Sequence, residues 1–274
     1  MQCQTFLAGA RVGQFRPPPL SQIPGGVTVL LRDAGSGHMA AMPGENMNKW
    51  ITLAAVDIPN GGGTLTLLQR DKEFSIRLSG IRGELMNSRV HGSEEALAEL
   101  GCARLKSLEA ARVLVGGMGM GFTLAAALAA VPDSAEVTVA ELIPAVVDWN
   151  RGPLGDCAGQ PLSDDRTTVH IGDVAELVAR SKGVFDAILL DVDNGPDGLT
   201  HSDNQWLYSM AGLTALKKAL SAEGTLAVWS AGPDPQFVIR LKKAGFHTSV
   251  RSVRARPGKG SHHTIFLAKK GSVF

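Results

Sequence analysis

The sequence has little of what disulfide-bonded, membrane-spanning or nucleic-acid-binding proteins depend on. Its three cysteines, Cys3, Cys102 and Cys157, are odd in number and far apart, which fits neither a disulfide framework nor a metal knuckle. The 27 basic and 26 acidic residues give a net charge of +1, so charge provides no argument for a nucleic acid or an anionic membrane surface. The longest apolar run, Thr123–Val131, is far shorter than the roughly 20 residues that cross a bilayer. We therefore expect a cytoplasmic protein without nucleic-acid or membrane partners.

The first third of the chain divides into two regions of different composition. Residues 1–46 are rich in proline and glycine without a sustained period, which is typical of a flexible leader or an over-long start. Residues 47–90 contain three strand-like runs between 51 and 78 and are predicted to form a small antiparallel β-sheet. A helix is then predicted from residue 92, with Ser93 as its N-cap and two acids, Glu94 and Glu95, in the first turn, where the helix dipole favours them.

Residues 91–274 are predicted to form the main domain, because strand-like and helical runs alternate from Arg112 onward. The strands are expected at about 112–116, 136–140, 167–171, 185–191 and 224–230, and the helices at about 121–131, 143–150, 173–181, 203–221 and 234–244. This rhythm is typical of a doubly wound, mostly parallel α/β sheet. Two further alternating runs, 247–253 and 263–268, predict an antiparallel C-terminal hairpin, which brings the sheet to seven strands.

A glycine-rich loop follows the first strand of this domain and is the strongest local signal for a nucleotide-type ligand. Gly116, Gly117, Gly119 and Gly121 lie within six residues, between a β-branched run and a helix. Glycines allow a close approach of ligand to backbone, and the helix that follows offers unpaired N–H groups. The GxGxG spacing is one residue shorter than the dinucleotide pattern, so it argues against NAD.

Acidic side chains follow the next three strands, at the sheet edge where ligands gather in this architecture. Glu141 follows the second strand, at the distance suited to ribose hydroxyls. Asp173 is placed to receive an adenine amino group, or alternatively to cap a helix. Asp191 and Asp193 are separated by one residue. Two close carboxylates require a cationic partner such as an amine, unless the segment is simply a turn.

Two adjacent histidines near the C-terminus are candidate metal ligands. His262 and His263 lie in the predicted hairpin without acids or cysteines at metal-ligand spacing. We therefore predict no metal site, and a small-molecule ligand as the partner.

Taken in order, the glycine loop, Glu141, Asp173 and Asp191 resemble the class I S-adenosylmethionine-dependent methyltransferase fold and, in detail, the spermidine synthase family. Residues 69–75 and 185–191 add to the resemblance, which covers roughly 50–268. It implies that Glu141 binds ribose and Asp173 adenine, and that Asp191 accepts or orients an attacking amine, with Asp193 on the far side of that amine. It also implies aminopropyl transfer from decarboxylated S-adenosylmethionine to a polyamine, and a possible homodimer.

Two departures from the family pattern leave the transferred group open. Gly119 stands where the family usually has an aspartate, and Ser75-Ile-Arg77 stands where it has Tyr-Gln-Glu. Methyl transfer from S-adenosylmethionine to a small molecule is therefore the alternative, because a methyltransferase loop needs no acid at that position. A non-catalytic binder of adenosyl nucleosides is the second alternative.

Overall fold

Two β-sheets form the framework of the chain in the computed structural model, which describes residues 49–58, 61–192, 205–256 and 259–271. The smaller sheet is antiparallel, with its strands in chain order. Its strands are β1 (Ile51–Asp57), β2 (Thr64–Arg70), β3 (Glu73–Leu78) and β4 (Met86–Asn87). The predicted N-terminal sheet is thus confirmed. The leader predicted for residues 1–46 lies outside the described residues.

The larger sheet has seven strands in the order β10-β11-β9-β8-β5-β6-β7. They are β5 (Arg112–Gly116), β6 (Glu136–Glu141), β7 (Thr167–Ile171), β8 (Phe185–Leu190), β9 (Leu220–Ser230), β10 (His247–Arg256) and β11 (Lys259–Lys269). Strands β5 to β9 pair in parallel, while β11 runs antiparallel to both β9 and β10. This confirms the predicted α/β class, its mostly parallel seven-stranded sheet and its C-terminal hairpin.

Helices cover both faces of the larger sheet, as the alternation of the sequence predicts. They are α1 (Gly92–Gly101), α2 (Phe122–Ala130), α3 (Pro144–Arg151), α4 (Val174–Arg180), α5 (Gln205–Tyr208), α6 (Met210–Ala219) and α7 (Pro235–Lys243). Two single turns of 3-10 helix, Gly155–Ala158 and Pro161–Ser163, precede β7.

Two expectations about the helices are wrong. A single helix was expected over 203–221, but Ser209 ends α5 and begins α6, because its hydroxyl accepts from the N–H of Gly212 and so caps a new helix. Ser93 is also not the N-cap of α1. His91 holds that position, and Ser93 lies inside the first turn.

The strand order reverses at β5, which lies between β6 and β8. The chain passes from β5 to β6 on one side and returns to β8 on the other. In such sheets the crevice at this switch point is where ligands bind. Here the N–H of Asp191 donates to the carbonyl of Gly116 over 2.9 Å, so the glycine loop and the end of β8 lie side by side.

The two sheets share one hydrophobic core. Leu67 and Ile76 of the small sheet pack in the same buried cluster as Leu97 of α1 and Val113 and Val115 of β5. The small sheet therefore stands as a fixed wall against the main domain, and the described residues belong to a single compact unit. The proposed boundary between residues 47–90 and 91–274 stays a prediction.

None of the helices within the described ranges is both long enough and apolar enough to cross a membrane.

Candidate functional site

A cavity of about 420 Å³ opens at the switch point, between the larger sheet and the small sheet. That volume lies within the range of pockets that enclose small molecules. We call one wall the loop side, which consists of Gly117, Met118, Gly119, Glu141 and Asp173. The other wall, which we call the sheet side, consists mainly of residues from the small sheet and the segment after it. The carboxyl group of Asp191 lies between the two sides.

Gly117 and Gly119 show why the loop is built from glycine. Both have positive φ angles, +87° at Gly117 and +49° at Gly119. A Cβ atom on Gly117 would lie 2.6 Å from the carbonyl oxygen of Asp191, closer than real contacts allow. The loop can therefore press against the end of β8 only without a side chain. Gly116, the last residue of β5, and Gly121, the N-cap of α2, flank this wall of the pocket.

Glu141 is fixed by backbone donors on both of its carboxylate oxygens. Oε2 accepts from the N–H of Met118 and Oε1 from the N–H of Ile143, each over 2.9 Å. Burial raises the pKa of Glu141, and these backbone N–H groups oppose that rise because they favour the charged form. The N–H groups of Gly119 and Leu142 also favour the charged form, and the carboxylate lines the pocket, where it can accept from the hydroxyl groups of a ligand.

Asp173 faces the pocket and also caps a helix. Its Oδ1 accepts from the N–H of Ala175 over 2.7 Å, which makes it the N-cap of α4. The structural alternative considered for this residue is therefore present, and it coexists with a place in the pocket wall.

Asp191 follows β8; the residue is half-buried, and its carboxyl group is buried in the wall of the pocket. Its Oδ2 accepts from the hydroxyl of Thr123 on α2 over 2.7 Å. Burial and, to a smaller extent, the negative charge of Glu94 together raise the pKa of Asp191 to about 7, while the Thr123 hydrogen bond acts in the opposite direction. A carboxyl with such a pKa exchanges protons near neutral pH. Asp193, its predicted companion, lies outside the described residues.

Glu94 is the pocket residue that sequence reasoning missed. It lies in the first turn of α1, faces the same cavity as Asp191, and its Oε2 accepts from the Ser93 hydroxyl over 2.6 Å. Burial is the main reason why its pKa is raised. Its neighbour Glu95 instead pairs with Nδ1 of His91, 2.9 Å away. Two acids at a helix start are ordinary, so the sequence carried no signal that distinguished Glu94 as a pocket residue.

The sheet side is otherwise mostly apolar. Glu94, Asn87 of β4, Trp229 of β9 and His263 of β11 contribute its polar groups. Its apolar residues come from the small sheet and the segment after it: Ile58, Leu65, Ile76, Leu78, Leu85, Met86 and Val90. The two sides of the cavity thus differ in chemistry, one hydrogen-bonding and one largely hydrophobic.

No three His, Cys, Asp or Glu side chains cluster as metal ligands in the part of the chain that the structure describes.

Comparison with known proteins gives one family and one fold. The family described as "Spermine/spermidine synthase domain" matches residues 91–235, more than half of the chain. The matched range contains the glycine loop, Glu141, Asp173 and Asp191. Residues 69–75, which also contributed to the resemblance, lie outside it. No curated protein matches the chain by sequence.

Two solved structures show a similar fold. The spermidine synthase from Thermotoga maritima has a TM-score of 0.62 and 20% identity, over 80% of this chain and 72% of that chain. A spermidine synthase in complex with the transition state analogue AdoDATO gives the same values. At this level of identity the likeness concerns the fold.

Proposed function

The chain belongs to the spermine/spermidine synthase family, and on that premise we propose that it transfers an aminopropyl group from decarboxylated S-adenosylmethionine to a polyamine nitrogen. The chain is then a transferase with two small-molecule substrates. The observation that carries the proposal is the position of the Asp191 carboxyl, which shares one pocket with the glycine loop. This position supports a role for Asp191 as proton acceptor, beside the wall that suits an adenosyl group.

The loop side is suited to hold the adenosyl part of the donor. In this proposal Glu141, already fixed by backbone N–H groups, accepts hydrogen bonds from the ribose hydroxyls. Asp173 receives the adenine amino group, and the backbone of Gly117 and Gly119 lies against the remainder of the nucleoside. The sulfur of the donor leaves as a neutral thioether, so the enzyme needs little leaving-group assistance and chiefly aligns nitrogen, carbon and sulfur.

In this proposal, Asp191 accepts the proton that the attacking amine must lose. An alkyl amine has a pKa of about 10, like that of a lysine side chain, and is protonated at neutral pH. It must lose a proton before its lone pair can attack carbon. The hydrogen bond from Thr123 orients the Asp191 carboxyl, and the arrival of a cationic amine favours its charged form. Asp193 is the residue proposed for the far side of the amine.

Methyl transfer is the second candidate, and Gly119 is the observation that favours it. A Cβ atom on Gly119 would lie 3.4 Å from Sδ of Met86. The neighbour of the loop at this point is therefore an uncharged thioether and not a carboxylate. A donor with a lone ammonium at the end of its tail gains no ion pair there. Intact S-adenosylmethionine has a tail that carries its own carboxylate.

The direct test is to supply both donors to one preparation of the protein. The protein is incubated with decarboxylated or intact S-adenosylmethionine and with 1,4-diaminobutane or spermidine, and the nucleoside product is identified by chromatography. Methylthioadenosine with the decarboxylated donor supports aminopropyl transfer, whereas adenosylhomocysteine with the intact donor establishes methyl transfer instead.

The Asp191→Asn variant completes this test. If both forms of the protein bind the nucleosides equally well and neither turns over, the chain is a binder and the proposal fails.

A further inference from the structure

Hydrogen bonds connect the acceptor side of the pocket with the C-terminal hairpin. Nδ1 of His263 on β11 lies 2.8 Å from the hydroxyl of Ser93, and that hydroxyl donates to Oε2 of Glu94 over 2.6 Å. Glu94 faces Asp191 across the same cavity, near enough for its charge to act on the Asp191 carboxyl. We call Glu94, Ser93 and His263 the relay. Neither the family match nor the site residues predicted from sequence assigns it a role.

The proposed reaction leaves one proton to be removed in each turnover. The protonated amine gives a proton to Asp191, and its freed lone pair forms the new N–C bond while the C–S electron pair passes to sulfur. The donor loses its positive charge, and the product nitrogen keeps one positive charge. Asp191 is left protonated, and it cannot accept a second proton until the first has moved on.

We propose that Glu94, Ser93 and His263 carry this proton away from Asp191 and so restore it as a base between turnovers. The inference rests on the proposed function. Glu94 takes the proton from Asp191 and, once protonated, donates to the Ser93 oxygen. The Ser93 hydroxyl then turns its own proton to Nδ1 of His263, in the tautomer with Nδ1 unprotonated, and the ring releases the proton on Nε2 to buffer. A hydroxyl both donates and accepts, so Ser93 transmits a proton without holding a charge. These three are positioning residues for the base, since they act through Asp191.

The surroundings of Glu94 support a group that exchanges protons. Burial raises its pKa, and the charge of Glu95 adds to that rise, while His91 and the hydrogen bond from Ser93 oppose it. Because Glu94 and Asp191 repel each other when both are charged, the pair favours a state in which one of the two carboxyls is protonated. A proton that arrives at Asp191 is therefore accommodated by either carboxyl.

His263 is suited to the outer end of the relay. Its ring packs edge-on against Trp229, with the ring centres 4.8 Å apart, and this contact fixes its orientation toward Ser93. Burial lowers the pKa of His263, and the neighbouring His262 lowers it further. The neutral imidazole therefore predominates at neutral pH, and a proton that reaches it is released readily.

Kinetics in buffers of increasing concentration test the relay. Ser93→Ala and His263→Gln each interrupt the relay but leave Asp191 in place, and we expect kcat to fall about tenfold or more. The loss is expected to be largest at low buffer concentration and to be restored by imidazole, because a small base then collects the proton directly. His247→Gln is the matched control. His247 is an exposed histidine of the same hairpin, on β10 opposite Lys269 and away from the pairing of His263 with Val253, so the variant is expected to keep the wild-type rate at every buffer concentration.

Two kinetic outcomes would overturn the relay. One is wild-type kcat in both variants, and the other is a loss that no buffer restores, which would assign Ser93 and His263 a purely structural role. If Ser93→Ala does not fold, Glu94→Gln tests the same relay, because an amide group cannot take up and pass on the proton as a carboxylate does.

A readout without turnover separates this inference from the proposed function. The titration of the His263 ring is followed by NMR in the wild type and in Glu94→Gln. Removal of the carboxylate at the other end of the relay is expected to lower the pKa of His263. An unchanged pKa of His263 in Glu94→Gln would disprove the hydrogen-bonded connection between Glu94 and His263, even if the protein is active. Absence of any product with the wild type would instead disprove the proposed reaction.

Discussion

The loop side and the sheet side of the pocket hold their acids in different ways. On the loop side, Glu141 is held by backbone N–H groups on both oxygens. Toward the sheet side, Asp191 and Glu94 each accept from one side-chain hydroxyl, of Thr123 and Ser93, and Glu94 also has a backbone N–H as a partner. A backbone donor is present whatever side chain the sequence places there. The loop side is therefore set by the fold, whereas the chemistry of the sheet side depends on individual side chains.

This difference has a chemical purpose in the proposed reaction. An acid that recognises hydroxyl groups must keep its charge and its position. An acid that collects a proton must be able to change its charge, and the few hydrogen bonds to Asp191 and Glu94 leave their protonated forms accessible. If the two sides divide recognition from proton transfer, substitutions on the loop side should weaken nucleoside binding, whereas substitutions of the proton-transfer acids should lower kcat.

The largest effect is expected from Asp191→Asn. Loss of the proton acceptor should lower kcat by about 10²- to 10⁴-fold, because that is the usual contribution of a general base. Binding of methylthioadenosine, measured by calorimetry, should stay nearly unchanged. Asp186→Asn is the matched control, since Asp186 lies at the opposite end of β8 and accepts from the N–H of Arg112. Equal losses in the two variants would remove Asp191 from the chemistry.

Glu141→Ala should show the opposite signature. We expect all adenosyl ligands to bind more weakly by about 1 to 3 kcal/mol, because hydrogen bonds to a charged group are lost. Glu136→Ala provides the comparison, since Glu136 begins the same strand and its side chain forms an exposed ion pair with Arg112. Unchanged calorimetric affinities in Glu141→Ala would mean that the nucleoside binds elsewhere.

The stability of the protein should report the burial of Asp191. The folded chain keeps this proton up to a pH of about 7, because the pKa is raised, whereas the unfolded chain loses it near the ordinary value of 3.8. Its contribution to stability is therefore complete below about pH 4 and is lost as the pH rises through 7.

Asp191→Asn should consequently gain stability relative to the wild type as the pH rises. We expect a gain of about 1 to 3 kcal/mol between pH 5 and pH 8, since one pKa unit corresponds to about 1.4 kcal/mol. Urea unfolding at several pH values measures it. A constant difference between the two proteins across this range would show that the pKa of Asp191 is not raised.

The smallest effect is expected from Gly119→Asp, which places a carboxylate on the loop side. Aspartate tolerates the left-handed backbone of this position better than most residues. We expect the preference for the decarboxylated donor over the intact one to grow by about 1 kcal/mol, the value of a partly exposed ion pair. Gly119→Asn controls for the added bulk. Identical donor preferences in the two variants would show that this position does not face the donor tail.

The sequence was a good guide to the loop side because its signals are local. Each parallel strand is a short apolar run, and the residue that follows it arrives at the same edge of the sheet. The positions of Gly117, Glu141, Asp173 and Asp191 follow from that rule, and the structure brings all four to one cavity. Their roles toward ligands remain predictions.

The sheet side could not be predicted because its contacts join distant parts of the chain. Ser93 meets His263, 170 residues away in sequence, and the choice between Glu94 and Glu95 depends on which face of α1 that strand covers. A first turn with two acids gives the same pattern whether or not one of them enters a pocket. The break at Ser209 was missed for a related reason, since a serine within a helical run is as compatible with continuation as with a cap.

The close contact between Gly117 and the carbonyl of Asp191 has a consequence for how the site works over time. The hydrogen bond from Asp191 to Gly116 and the missing side chain at Gly117 bind the loop and the end of β8 into a single unit. The distance from the donor wall to the base is therefore set once, when the chain folds, and does not have to be found anew in each reaction cycle. Any opening and closing that admits substrates must occur in other parts of the pocket wall, with this junction as its fixed reference.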